Sequence, residues 1–272
     1  MDNGILDKEP QFQYDARVAS VLSGTDAFIK MFDLKSLQAA LEQLEEDLYL
    51  SHPDVIIIIT PQGSFFQDAF TLNMNPAYET DLHEFGDLTT KLKFKSYMQL
   101  VSRLRERSRD ADFPVGAISQ TLIDHGQAVP LFYLTAHLPN ISIVPVGFCD
   151  LPWKSHLDFG NLIKECVMET KQRVAVIASG DLSHALTTDA PAGYNAAGKE
   201  FDQKIQELLA TNNVAGMLQL DKKFVSDAAE CGFRSFLILM GILQGVNHTY
   251  KSHSYEGPFG VGYLTANFVL EN

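Results

Sequence analysis

The chain has 272 residues, 46% of them hydrophobic, which is enough to bury a large core, and its 34 acidic against 21 basic residues give a formal net charge of -13. With a pI near 4.9, that charge excludes a phosphate backbone or an anionic membrane surface as partner and leaves a small molecule, a protein or a second copy of the chain. Cys149, Cys166 and Cys231 are odd in number and scattered without a CxxC pair, so neither a disulfide framework nor a structural zinc site is expected.

The opening MDNGILDKEPQFQYD has no basic n-region and no apolar stretch, and the longest apolar run, residues 55–59, is too short to span a bilayer. A cytoplasmic protein is expected. Residues 1–30 show no sustained period. Leu34, Leu37, Leu41, Leu44 and Leu48 then recur at helical steps, with Glu42, Glu45, Glu46 and Asp47 on the other face, predicting an amphipathic helix. Pro53 ends it, and residues 55–59 read as a strand buried on both faces. That strand delivers Thr60-Pro61-Gln62-Gly63-Ser64 to the carboxyl edge of a sheet, where open α/β folds hold their ligands.

Residues 68–73 read as a second strand, 75–88 as irregular, and 91–107 as a helix. Val115–Ile118 is a short strand candidate, followed by Asp124-His125-Gly126 and an apolar helix over 128–138 with Pro130 near its start. Residues 141–146 form another core strand and 156–170 a crossover helix. Val174–Ala178 is the next buried strand, and it runs into Ser179-Gly180-Asp181-Leu182-Ser183-His184, where two hydroxyls, a carboxylate and an imidazole share one turn. A helix over 195–209, helices over 224–229 and Phe233–Leu243, and strands over 248–255 and 261–270 complete the chain. The order of elements predicts one α/β domain.

Several stretches together resemble a known family: IIIITPQGSFFQDAF, LIDHGQAVPL, VAVIASGDLSHAL with DAPAGY and GKEFD, AAECGFRSFLILMG and SYEGPFGVGYL. They look like the B-type subunit of class III extradiol ring-cleavage dioxygenases, the LigB superfamily that also includes Memo, and are most similar to the branch called AmmeMemoRadiSam system protein B. The resemblance implies a three-layer-like α/β sandwich around a mainly parallel sheet. It also implies non-haem Fe(II), or another divalent metal, held by two histidines and a carboxylate, and cleavage of catechol-like or aminophenol-like rings. His125 and His184 match the acid–base and oxygen-positioning histidines. In that role His184 would take the phenolic proton, with Gln62, Asp124, Ser179, Asp181 and Ser183 lining the pocket.

The metal ligands implied by the family are altered. No histidine precedes His52, so the N-terminal ligand has no counterpart, and the PHG motif of the second ligand reads Pro61-Gln62-Gly63. The third falls at Glu230 or Cys231, where the dioxygenases use a glutamate and Memo a cysteine. The expectation is therefore an inherited cleft with a degenerate metal site. The alternative is a non-enzymatic member that binds a small aromatic molecule or a peptide. Ser179 or Ser183 beside His184 also suggests hydrolysis, but the G-x-S-x-G elbow is missing.

Overall fold

The computed structural model describes residues 35–61, 63–80 and 91–271. Gln62 and the N-terminal segment that would have supplied a metal ligand lie outside the described residues.

Helix α1 (Lys35–Leu50) leads into β1 (Val55–Thr60), followed by β2 (Phe70–Asn73), β3 (Ala77–Thr80), β4 (Lys93–Ser96) and α2 (Met98–Asp110). Then come β5 (Val115–Ile118), β6 (Leu122–Ile123), α3 (His125–Leu134), β7 (Ser142–Gly147), α4 (Trp153–Met168) and β8 (Val174–Ala178). The remainder is α5 (Ala196–Ala210), α6 (Val214–Leu218), α7 (Lys222–Asp227), α8 (Phe233–Leu243) and the strands β9 (His248–Glu256) and β10 (Tyr263–Leu270).

The centre of the sheet is β8–β1–β7, all parallel, with Ile59 opposite Ala178 and Thr60 opposite Gly147. The three strands therefore end at one level. On its far edge β7 pairs antiparallel with β2 near its C-terminus and parallel with β4 near its start, so the sheet divides there. Strands β9 and β10 form a separate antiparallel hairpin.

Alternation along β1 builds two cores. Val55, Ile57 and Ile59 pack with α2, α4, α5 and α8 on one face, whereas Ile56 and Ile58 pack with α1 and α3 on the other. Covered on both faces, the strand is apolar from Val55 to Ile59, and the architecture is the expected sandwich of helices about a mostly parallel sheet. Among the described residues no helix is long and apolar enough to cross a membrane.

Three predicted stretches need correction. Residues 75–88, expected to be irregular, contain strand β3, whose Tyr78 lies opposite Phe94 of β4 in an antiparallel pair. The helix over 91–107 is in fact strand β4 followed by a helix that begins at Met98. In Lys93-Phe94-Lys95-Ser96 only Phe94 is buried, a period-two pattern that competes with the helical reading. The helix over 128–138 runs instead from His125 to Leu134, which places Pro130 in its interior. Its start is set by Asp124, whose carboxylate accepts from the Gln127 amide as an N-cap.

Candidate functional site

Strand β8 ends in the turn singled out in the sequence. The Ser179 amide donates to the Ile59 carbonyl at 2.9 Å, which continues the β1–β8 ladder for one more residue and fixes where the turn begins. Gly180 has φ +142°, and a Cβ there would lie 2.4 Å from the Gly232 Cα. Only glycine allows the connection between α7 and α8 to close onto this turn. The closure is held by three bonds. The Cys231 and Gly232 amides donate to the Asp181 carbonyl at 3.3 and 2.9 Å, and the Asp181 amide donates to Cys231 Sγ at 3.1 Å.

The outcome is a convergence of three side chains from two segments 50 residues apart. Asp181 Oδ2 lies 3.2 Å from His184 Nε2, Cys231 Sγ lies 4.0 Å from the same nitrogen, and all three candidate ligand atoms fall within 4.8 Å of one another. Asp181 is 3% exposed and the His184 side chain 27%, so the imidazole is the face offered to a ligand. Asp181 selects the tautomer with its proton on Nε2 and leaves Nδ1 as the acceptor.

The turn is anchored from behind. The buried Ser183 hydroxyl donates to the Ala228 carbonyl at 2.8 Å and accepts from the Ala185 amide at 2.9 Å. Its own amide donates to Asp202 Oδ1 at 2.8 Å, and Asp202 Oδ2 accepts from the Tyr255 hydroxyl at 2.7 Å. Burial pushes the Asp202 carboxyl up to about 6, against the pull of these two donors. The GKEFD and SYEG motifs thus meet at the back of the SGDLSH turn. Asp202 and Tyr255 were not singled out by sequence reasoning. The available signal was a carboxylate on the apolar stripe of α5, between Phe201 and Ile205.

His125 and Asp124 sit at another strand end. Asp124 Oδ1 accepts from Thr60 Oγ1 at 2.9 Å, joining the β6–α3 junction to the end of β1, and Oδ2 accepts from Gln127 Nε2. Burial raises the Asp124 carboxyl above its ordinary value. As N-cap, Asp124 places His125 at the first position of α3. Ser179 is 1% exposed and Ser183 wholly buried, so both are framework beneath the site.

Glu230 and Cys231 have different surroundings. Glu230 Oε2 accepts from the Phe233 amide at 2.5 Å, capping α8, and desolvation pushes its carboxyl up to about 7. Cys231 stays with the cluster, but burial, reinforced by the Asp181 charge, holds its thiol well above the usual range. The sulfur is thus a protonated thiol at neutral pH rather than an activated nucleophile. A Cys–His–Asp relay also needs the carboxylate on the imidazole nitrogen remote from sulfur. Here both lie at Nε2. The geometry does not favour the hydrolase reading either, because the Ser183 hydroxyl is spent on Ala228 and Ser179 is 1% exposed.

One imidazole, one carboxylate and one thiol can hold a metal ion, but they do not make the two-histidine, one-carboxylate triad of non-haem iron, and among the described residues no second imidazole joins them. The donor set is of borderline to soft character.

Comparison with known proteins places this architecture. Protein CA_C1420 of Clostridium acetobutylicum is 33% identical over 239 residues, 85% of this chain and 51% of that protein, so the chain spans about half the length of that relative. The 2-aminophenol 1,6-dioxygenase alpha subunit of a Pseudomonas species is 26% identical over 251 residues, 87% of this chain and 91% of that one. Among solved structures, an uncharacterized Escherichia coli K12 protein, JW3007, superposes with a TM-score of 0.62 at 15% identity, over 94% of this chain and 100% of that chain. It shares the fold. Residues 18–266 match the family described as the catalytic LigB subunit of aromatic ring-opening dioxygenase, and the chain belongs to that family.

Proposed function

We propose that this LigB-family chain binds a small aromatic hydroxy compound at the common end of β1, β7 and β8, with the Asp181–His184 pair as proton acceptor, and that its donor set does not support iron-dependent ring opening. One observation carries the reading. The side chains that converge are one imidazole, one carboxylate and one thiol, and each is already engaged: Asp181 with His184, the sulfur with the Asp181 amide. In the sequence, Gln62 stands where the family motif has its second histidine. A neutral carboxamide is a weaker ligand for iron than imidazole.

The chain's own residues still provide acid–base chemistry. With its proton on Nε2 facing Asp181, His184 can accept a phenolic proton on Nδ1, and the neighbouring carboxylate stabilises the imidazolium that forms. The LIDHGQAVPL, SGDLSH and ECGF stretches support placing the chain in the AmmeMemoRadiSam system protein B branch. A second reading draws on the closeness of the three ligand atoms: the cluster takes Zn(II) or copper, with the Cys231 proton released on binding.

Titration of metal-free protein with catechol tests the first reading. Saturable binding that weakens about tenfold in His184→Ala supports it. Stoichiometric Fe(II) in anaerobically purified protein, with ring-opened product from catechol and dioxygen, overturns it.

A further inference from the structure

Beside the end of β1 lies a cavity of about 320 Å3, separate from the Asp181–His184–Cys231 cluster. Asp124 and Gln127 of α3 form one wall, Ser64 and Gln120 another, and Phe65 and Phe148 the apolar side. The two phenyl rings meet edge to face at 6.4 Å, and Phe65 is 51% exposed at the rim. The cavity therefore has an aromatic side on which a planar ring can pack.

A count of donors and acceptors along the polar wall shows what is left over. The Thr60 hydroxyl donates to Asp124, the Thr71 hydroxyl to the Ser64 carbonyl, and Gln120 Nε2 to Ser64 Oγ. Asn73 is satisfied at both ends, giving Nδ2 to the Gln120 carbonyl and accepting two amides at Oδ1. Asp124 takes three donors. Among the described residues of this wall, one buried side-chain acceptor is left over. Gln127 is 6% exposed, its Nε2 is spent on Asp124, and its Oε1 is buried with no partner. The opposite orientation of the carboxamide would set its oxygen against the Asp124 carboxylate, so the bond to Asp124 fixes which atom is orphaned.

We propose that this cavity is a specificity subsite for an aromatic ligand bearing an amide-like N–H group, which Gln127 Oε1 accepts while the ring packs on Phe65 and Phe148. The inference rests on the proposed aromatic-binding function and names the substituent that the ligand carries there. Seating it takes only a small rotation of the Gln127 carboxamide about its terminal torsion, which is broad and soft, with Nε2 kept on Asp124. The same wall discriminates against anions. A carboxylate substituent would face both the orphaned carbonyl oxygen and the Asp124 carboxyl, with no cation among the described lining residues.

Three planar, nearly isosteric probes test this: benzamide, acetophenone, in which a methyl replaces the NH2, and benzoate. Calorimetric or NMR titration should rank benzamide about fivefold or more above acetophenone, with benzoate weakest. Gln127→Met, which keeps the shape and loses the acceptor, should bring benzamide and acetophenone within about twofold. Equal binding of the three probes, or a preference that survives Gln127→Met, overturns the inference. Phe65→Ala lies outside the α3 cap and so serves even if Gln127→Met fails to fold. It should weaken all three probes together, and unchanged binding would place them elsewhere and overturn the inference. If catechol binding depends on His184 while the probes are not discriminated, this inference falls and the proposed function stands. If catechol does not bind while benzamide depends on Gln127, the proposed function alone falls.

Discussion

His156 offers a quantitative test of how the core beneath the site is built. It is wholly buried, with Nε2 3.0 Å from the Cys149 carbonyl and Nδ1 3.1 Å from the Pro152 carbonyl, and Phe70 meets the ring edge to face. Burial outweighs the two carbonyls and lowers its pKa from 6.5 to about 4. The group is a base whose native pKa is depressed, so the unfolded chain takes up the proton first. Stability from this residue is complete above pH 6.5 and is lost as pH falls toward 4. At about 1.36 kcal/mol per pKa unit the full loss is about 3.4 kcal/mol, of which about 2 kcal/mol is reached at pH 5. In His156→Asn the titration is gone, while a small cavity and an unpaired Cys149 carbonyl cost about 2 kcal/mol at pH 8. Urea unfolding of both proteins should show that gap at pH 8 and its near disappearance at pH 5, about 5 °C in relative Tm. Every other titrating group cancels in the difference. A gap that is the same at both pH values would refute the argument, since His156 would then titrate alike in folded and unfolded chains.

Other consequences follow from the same geometry. Gly180→Ala should cost about 3 kcal/mol in urea unfolding, from the positive φ and the Cβ contact with Gly232; a loss below about 0.5 kcal/mol would mean that the two loops are not locked together. Cys231 should react with iodoacetamide at pH 8 at least about tenfold more slowly than a free cysteine, because burial keeps it protonated, whereas fast reaction with a plateau near neutral pH would indicate an activated thiolate. Tyr255→Phe removes a donor from the buried Asp202 carboxylate and should cost about 2 kcal/mol at pH 8. A native carboxyl raised above its unfolded value is most stabilising at low pH, so this cost should shrink below pH 6, and a constant cost would contradict the bond.

The parts of the fold legible in the sequence were those that burial writes as a continuous signal. Strands β1, β7 and β8 carry continuous apolar runs, Val55–Ile59, Ile143–Val146 and Val174–Ala178, because helices cover both faces, and α1 shows its leucine stripe because only one face is covered. Strand β4 was hidden because one buried Phe94 between lysines looks like part of the amphipathic helix that follows. Helix α3 starts three residues before its apolar run because Asp124, also a pocket candidate, is its N-cap. In the site, the SGDLSH turn was visible since its groups are sequence neighbours. Its pairing with Cys231 is implied only by the family resemblance, because the closure depends on Gly180 and Gly232 touching across 52 residues, a contact that no local pattern encodes. The orphaned oxygen of Gln127 was equally out of reach, since it emerges only when every neighbouring donor has been assigned.

The central claim is that Asp181, His184 and Cys231 form an acid–base cluster and not an iron centre. Anaerobic titration with Fe(II), read as the metal retained after desalting, tests it most directly. The account predicts substoichiometric retention in the unmodified protein and no loss of retained iron in Cys231→Ser. Retention of one iron per chain, abolished by His184→Ala, would contradict it.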